Sequence, residues 1–133
     1  MSHFTRVKTK INDLVRLKQV LKELDYDFLE AGNNSSLVIK GWDKLTQNVQ
    51  LEIKTGCSYS VGIILNENNF EFVADWWGLE TYTGITQEDF INKITRKYAY
   101  DTVMDKIKEK GYSVVTEEID DKQNIRILLR KWE

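Results

Sequence analysis

The sequence predicts an α+β fold in a single domain, 1–133, built as a mostly antiparallel, twisted sheet with helices on one face. Three observations lead there. Most apolar runs repeat every second residue, two longer stretches repeat every third and fourth, and short turn clusters separate neighbouring strands as hairpins require. At 133 residues the chain has the usual size of one domain and can bury about two-thirds of its unfolded surface without a disulfide or a structural metal.

In chain order, His3, Thr5, Val7, Thr9 and Ile11 alternate with Phe4, Arg6, Lys8 and Lys10, which predicts a strand with one basic, solvated face. Asn12 and Asp13 can cap the next element, where Leu14, Leu17, Leu21 and Leu24 form one stripe of an amphipathic helix. Residues 26–31 read as a short strand, and the turn cluster 32–36 predicts a hairpin into the run LVIKGW. Val49, Leu51 and Ile53 alternate with polar neighbours, which predicts one strand with a single buried face. Residues 59–65 and 70–75 flank Asn66-Glu67-Asn68-Asn69 and complete a meander.

Thr86 precedes Asp89 by three residues and opens a second helix. Phe90, Ile91, Ile94 and Tyr98 share one face of it, whereas Tyr100, Val103, Met104 and Ile107 share another, so a kink or break is expected between Arg96 and Tyr100. Gly111 stops the helix, and residues 112–119 and 124–132 predict a final hairpin through the turn 120–123. Leu21-Lys22-Glu23 and Tyr26 align with Ile107-Lys108-Glu109 and Tyr112, and 37–42 align with 127–132. This pattern reads either as coincidence between two ordinary helix–hairpin units or as a duplicated strand–helix–strand–strand unit within one sheet.

Composition narrows the function classes. A net charge of −2 gives no global field toward nucleic acid or anionic membrane, so any basic site must be local. No apolar stretch approaches the length of a membrane span, and the start MSHFTRVKTK lacks the apolar core of a signal peptide. Cys57 is the single cysteine and His3 the single histidine, which leaves no set of soft ligands for a metal and no multi-histidine site. A reducing compartment and an inert structural Cys57 follow. Dinucleotide, P-loop and nucleophile-elbow motifs are absent, so the sequence argues against an enzyme and implies no cofactor. The carboxylates Glu117, Glu118, Asp120 and Asp121 read as solvated edge protection rather than an acid–base pair.

The segments MSHFTRVKTKI, ITRKYAYDTVMDKIKEKGY and IRILLRKW together resemble an uncharacterised family of cyanobacteria and plastids, whose plastid members are called hypothetical chloroplast reading frame thirty-five. The resemblance spans nearly the whole chain and implies a place rather than a chemistry: a plastid-encoded protein of the chloroplast stroma, with a cyanobacterial cytoplasm as the alternative. The excess of lysine over arginine, with many Asn and Ile, agrees with an A+T-rich genome.

Three groups of residues are candidates for binding. Adjacent Trp76 and Trp77, read as part of a strand, point to opposite faces; one enters the core, and the other is either covered by the long helix or exposed as a partner's anchor. Arg96, Tyr98 and Tyr100 would set cations beside rings at the expected break, or simply pack beside solvated neighbours. Phe4, Arg6, Lys8 and Lys10, with Arg126, Arg130 and Trp132, would form one basic and aromatic face if the first and last strands pair, as an RNA-binding module requires. The leading expectation is a noncatalytic binding or accessory protein with an unknown protein partner. The alternatives are the RNA-binding module and an enzyme with an unfamiliar site.

Overall fold

The structure is a computed structural model and describes residues 3–122 and 124–131. It is α+β, and every strand pairing among the described residues is antiparallel. The elements run β1 (Thr5–Lys8), α1 (Leu14–Glu23), β2 (Phe28–Glu30), β3 (Leu37–Lys40), β4 (Thr46–Val49), β5 (Leu51–Ile53), β6 (Val61–Leu65), β7 (Phe70–Ala74), α2 (Trp76–Thr83), α3 (Gln87–Glu109), β8 (Tyr112–Ile119) and β9 (Ile125–Lys131). The described residues fall into two compact units, dividing between Tyr98 and Ala99.

The first unit is built on a five-stranded sheet of order β1-β7-β6-β5-β2. Alternation along each strand gives this sheet two apolar faces. Leu51, Ile53, Val61, Ile63, Phe70 and Phe72 face the helices, where Leu17, Val20 and Leu21 of α1, Leu79 of α2, and Phe90 and Ile94 of α3 complete one core. The predicted leucine stripe of α1 is this contact: Leu17 and Leu21 are fully buried, and Leu14 and Leu24 pack at its margin. Asp13 caps the helix by accepting from the Arg16 N–H at 3.1 Å. At the other end Asp25 takes a left-handed φ of 62°, and the Tyr26 N–H reaches back to the Leu21 carbonyl at 2.9 Å.

The opposite face of the sheet carries Val73 and is covered by the two-stranded β3–β4 sheet through Ile39 and Val49, with Phe4, Leu37 and Ile64 around them. Gly62 makes that approach feasible. A Cβ there would collide with the Val49 side chain and lie 3.1 Å from Ile39 Cδ1.

Several expectations change here. The hairpin predicted between residues 26–31 and 37–42 does not form; β2 pairs with β5, and β3 pairs with β4. Burying Ile39 and Val49 on the back of the main sheet decides the matter, because it requires β3 and β4 to pair with each other above Val73. The expected strand through Val49, Leu51 and Ile53 is two strands in two sheets. Val49 belongs to the back layer, Leu51 and Ile53 point to the helices, and the chain changes layer at Gln50. The described strands form three sheets rather than one, and the repeat finds no match in pairing, since β8 and β9 pair together while β2 and β3 do not.

α3 runs unbroken from Gln87 to Glu109, capped at its start by Thr86, whose hydroxyl accepts from the Asp89 N–H at 3.1 Å. The expected break near Arg96 to Tyr100 is instead the place where the helix passes from one unit to the next. Phe90, Ile91 and Ile94 serve the first core, so the change of apolar face needs no change of backbone. The second unit holds the C-terminal turns of α3 and the β8–β9 hairpin, whose β8 strand is irregular between Val114 and Thr116. Gln123 and Trp132 of the predicted hairpin lie outside the described residues.

Candidate functional site: an exposed tryptophan pair on a buried aspartate

β7 ends at Ala74, and the next four residues turn the chain into α2 rather than extending the strand. Asp75 is the reason. Fully buried, it caps α2 by accepting the Gly78 N–H on Oδ1 at 3.0 Å, and accepts the Trp42 N–H on Oδ2 at 2.8 Å. One carboxylate thus ties the first turn of α2 to the tip of the β3–β4 hairpin, 33 residues away in sequence.

The two tryptophans after Asp75 do divide, but by helical geometry. Successive residues on a helix point about 100° apart. Trp76 turns inward, 7% exposed, its indole donating to the Thr5 carbonyl at 3.2 Å and its ring 6.0 Å from Phe90. Trp77 turns outward and is 55% exposed, so the long helix does not cover it. Its neighbour is Trp42, itself 47% exposed, with ring centroids 6.2 Å apart and planes at 80°. That edge-to-face arrangement is the favoured one for aromatic pairs.

Trp42 opens the tight turn that joins β3 to β4. Asp43 (φ 55°, ψ 47°) and Lys44 (φ 64°) both take left-handed backbone, and the Leu45 N–H bonds the Trp42 carbonyl at 3.2 Å. This is the hairpin turn whose twist matches its strands, normally built with Asn-Gly or Asp-Gly; here lysine stands where glycine is preferred. Gly41, just before it, seats the hairpin on Phe4: a Cβ there would lie 2.9 Å from Phe4 Cζ. Gly78 lies against Tyr59, whose ring meets the exposed Tyr82 at 5.6 Å. Burial, then the neighbouring Tyr82, Asp75 and Cys57, push the Tyr59 phenol above its ordinary value.

The other candidates are placed differently. Tyr98 packs at the margin of the first core and its hydroxyl accepts from the Asp13 N–H at 3.2 Å, while Tyr100, about 200° further round α3, donates to Glu117 at 2.9 Å. Both rings serve structure, and Arg96 is exposed without joining them into one cluster. β1 pairs with β7 and β9 with β8, so strand pairing does not merge the two basic stripes. Phe4 packs in the back layer, Arg6 pairs with Glu71 at 3.7 Å, and Lys8 lies opposite Glu71 in register. Lys10 is exposed beyond β1. Arg126 lies opposite Glu118, Arg130 lies opposite Ser113, and Trp132 is outside the described residues. His3 is exposed, and Cys57 is half-buried with its sulfur accepting from the Tyr59 N–H at 3.4 Å. Among the described residues no three His, Cys, Asp or Glu side chains gather as a metal site, and no helix is long and apolar enough to cross a membrane.

The sequence singled out Trp77 but missed Trp42 and Asp75. Asp75 carried a local signal, as an N-cap residue ahead of a stretch closed by Gly84. Trp42 carried none, because its partners are distant in the chain.

Comparison with known proteins agrees on kinship and leaves chemistry open. Curated relatives are the "uncharacterized protein ycf35" of Pyropia yezoensis, 30% identical, of Cyanophora paradoxa, 29%, and of Guillardia theta, 28%, each alignment covering 99% of this chain and 98% of the relative. These relatives come from algal plastids. No solved structure matches the chain. The family model described as "Protein of unknown function (DUF1257)" matches residues 20–128, and the chain belongs to that family.

Proposed function

We propose that this chain is a noncatalytic accessory protein of the plastid stroma that acts through protein contacts, with Trp42 and Trp77 as the anchors of its docking surface. A cyanobacterial cytoplasm is the alternative setting. The observation that carries the reading is the pair itself: two indoles, each about half exposed, held edge to face on a buried, doubly bonded aspartate. Rigid aromatic side chains lose little entropy on binding and dominate the energetics of protein interfaces. An exposed pair fixed in this way is preorganised for a partner. Kinship with plastid proteins supports the setting.

The test is quantitative capture from stroma with the tagged wild-type chain and with Trp42→Ala/Trp77→Ala, followed by photo-crosslinking from position 77. A partner that crosslinks at 77 and is lost from the double variant, while the free energy of unfolding stays within about 1 kcal/mol of wild type, supports the reading. An unchanged capture profile contradicts it. The same preparations probed with single-stranded RNA at low salt address the RNA-binding alternative, which the Arg6–Glu71 pair and the Glu118–Arg126 register weaken.

A further inference from the structure

The two ends of the β3–β4 hairpin are held by different means. At its base, Ile39 and Val49 are buried with Val73 on the back of the main sheet. Toward the turn that burial stops, and every residue from Trp42 to Thr46 is exposed. The tip is fastened instead by the Trp42 N–H on Asp75 Oδ2 at 2.8 Å, by the Trp42–Trp77 ring contact and by the seat of Gly41 on Phe4. Its own ladder is complete without those ties. The Gly41 N–H bonds the Leu45 carbonyl at 2.8 Å, and the Leu45 N–H bonds the Trp42 carbonyl at 3.2 Å. Left-handed backbone at Asp43 and Lys44 adds a strain that a freed tip can relax.

We infer that this tip is a latch: it swings away from α2 about its buried base and carries Trp42 off Trp77, while β3 and β4 stay paired and the core stays closed. A segment with few buried contacts and an exposed backbone opens locally, below the free energy of global unfolding. Asp75 sets the closed state through one of its two oxygens. Oδ1 takes the Gly78 N–H inside α2 and needs nothing from the hairpin, whereas Oδ2 takes the tip. On opening, water replaces Trp42 at Oδ2 and the helix keeps its cap. The open state separates the two rings, so the docking surface exists only when the latch is closed; this consequence rests on the docking role proposed above. A partner that holds both rings binds the closed state, and by linkage its binding keeps the tip shut.

The test is hydrogen exchange of two amides in the full chain, because the Trp42 and Gly78 N–H groups donate to the same carboxylate. Corrected for intrinsic rates, Trp42 should exchange at least about tenfold faster than Gly78, with a weaker dependence on denaturant. Asp75→Asn keeps one oxygen for the Gly78 cap and turns an amide donor toward the Trp42 N–H, so Trp42 should lose its protection while Gly78 stays protected. Trp77→Ala leaves the carboxylate in place and should speed Trp42 exchange about threefold. Equal exchange of the two amides in the wild type, with the same denaturant dependence, overturns the inference. So does a Trp42 amide that stays protected in Asp75→Asn or is unchanged in Trp77→Ala. Capture separates the latch from the docking reading: a partner lost from Trp42→Ala/Trp77→Ala but held at the wild-type level by Asp75→Asn leaves docking standing and overturns the control of docking by the latch.

Discussion

In the unit that ends at Tyr98, the sheet is covered on both faces, and Leu51, Ile53, Ile63, Phe72 and Val73 are wholly buried. In the unit that begins at Ala99, the two strands leave Val115, Ile119 and Leu128 more than half exposed. The same alternating chemistry gives opposite results because a strand buries its apolar face only when a layer is packed against it. The first unit draws its stability from close packing, where volume cannot change without cost. The second buries Ile107 and only partly buries Tyr112, Val114, Ile125 and Ile127, so less of its stability rests on close packing.

Substitutions sharpen the contrast. Phe72→Ala should destabilise the chain by about 3 to 5 kcal/mol and Leu17→Ala by about 2 to 5, measured by chemical denaturation, because each removes a fully buried side chain. Gly62→Ala should cost about 1 to 3 kcal/mol, since the added methyl meets Val49 and Ile39 across the two sheets. Lys44→Gly should act in the opposite direction and raise stability by up to about 1 kcal/mol by relieving a left-handed lysine. Leu128→Ala should fall within about 0.5 kcal/mol of wild type. A large loss there would erase the distinction between the units.

The smallest expected effect is a pH dependence of the β8–β9 turn. The Asn124 backbone N–H, the Asn124 side chain and the Lys122 N–H all donate to Asp120, at 2.9, 3.2 and 2.9 Å, and hold its carboxyl below the ordinary range. The folded pKa is therefore lower than the unfolded one. The contribution is complete above the unfolded value of about 3.9 and is lost as pH falls through the folded value. NMR shifts of the hairpin amides should follow that loss in the wild type and not in Asp120→Asn.

Much of this contrast was legible in the sequence. The leucine stripe of α1, its Asp13 cap, the Thr86 start of α3 and the final hairpin all rest on local periodicity or local turn chemistry. What failed was non-local. Nothing near Gln50 marks a change of layer, because Val49, Leu51 and Ile53 keep one parity while their neighbours belong to different sheets. Two tryptophans with high strand propensity concealed a helix that the Asp75 carboxylate starts. The change of apolar pattern in α3 was assigned to a break, yet the helix runs unbroken: Phe90, Ile91 and Ile94 serve the first core, while of the second predicted face Ile107 is buried and Val103 is exposed.

The claim that Trp77 is available for docking rests on its difference from Trp76, and acrylamide quenching measures that difference directly. Among variants that keep one of the four tryptophans, with Phe at the other positions, the Trp77 variant should emit at long wavelength and quench readily. The Trp76 variant should emit at shorter wavelength and resist quenching. Adding the captured partner should protect Trp77 and leave Trp76 unchanged. If Trp77 in the free protein is as protected as Trp76, the docking surface is not there.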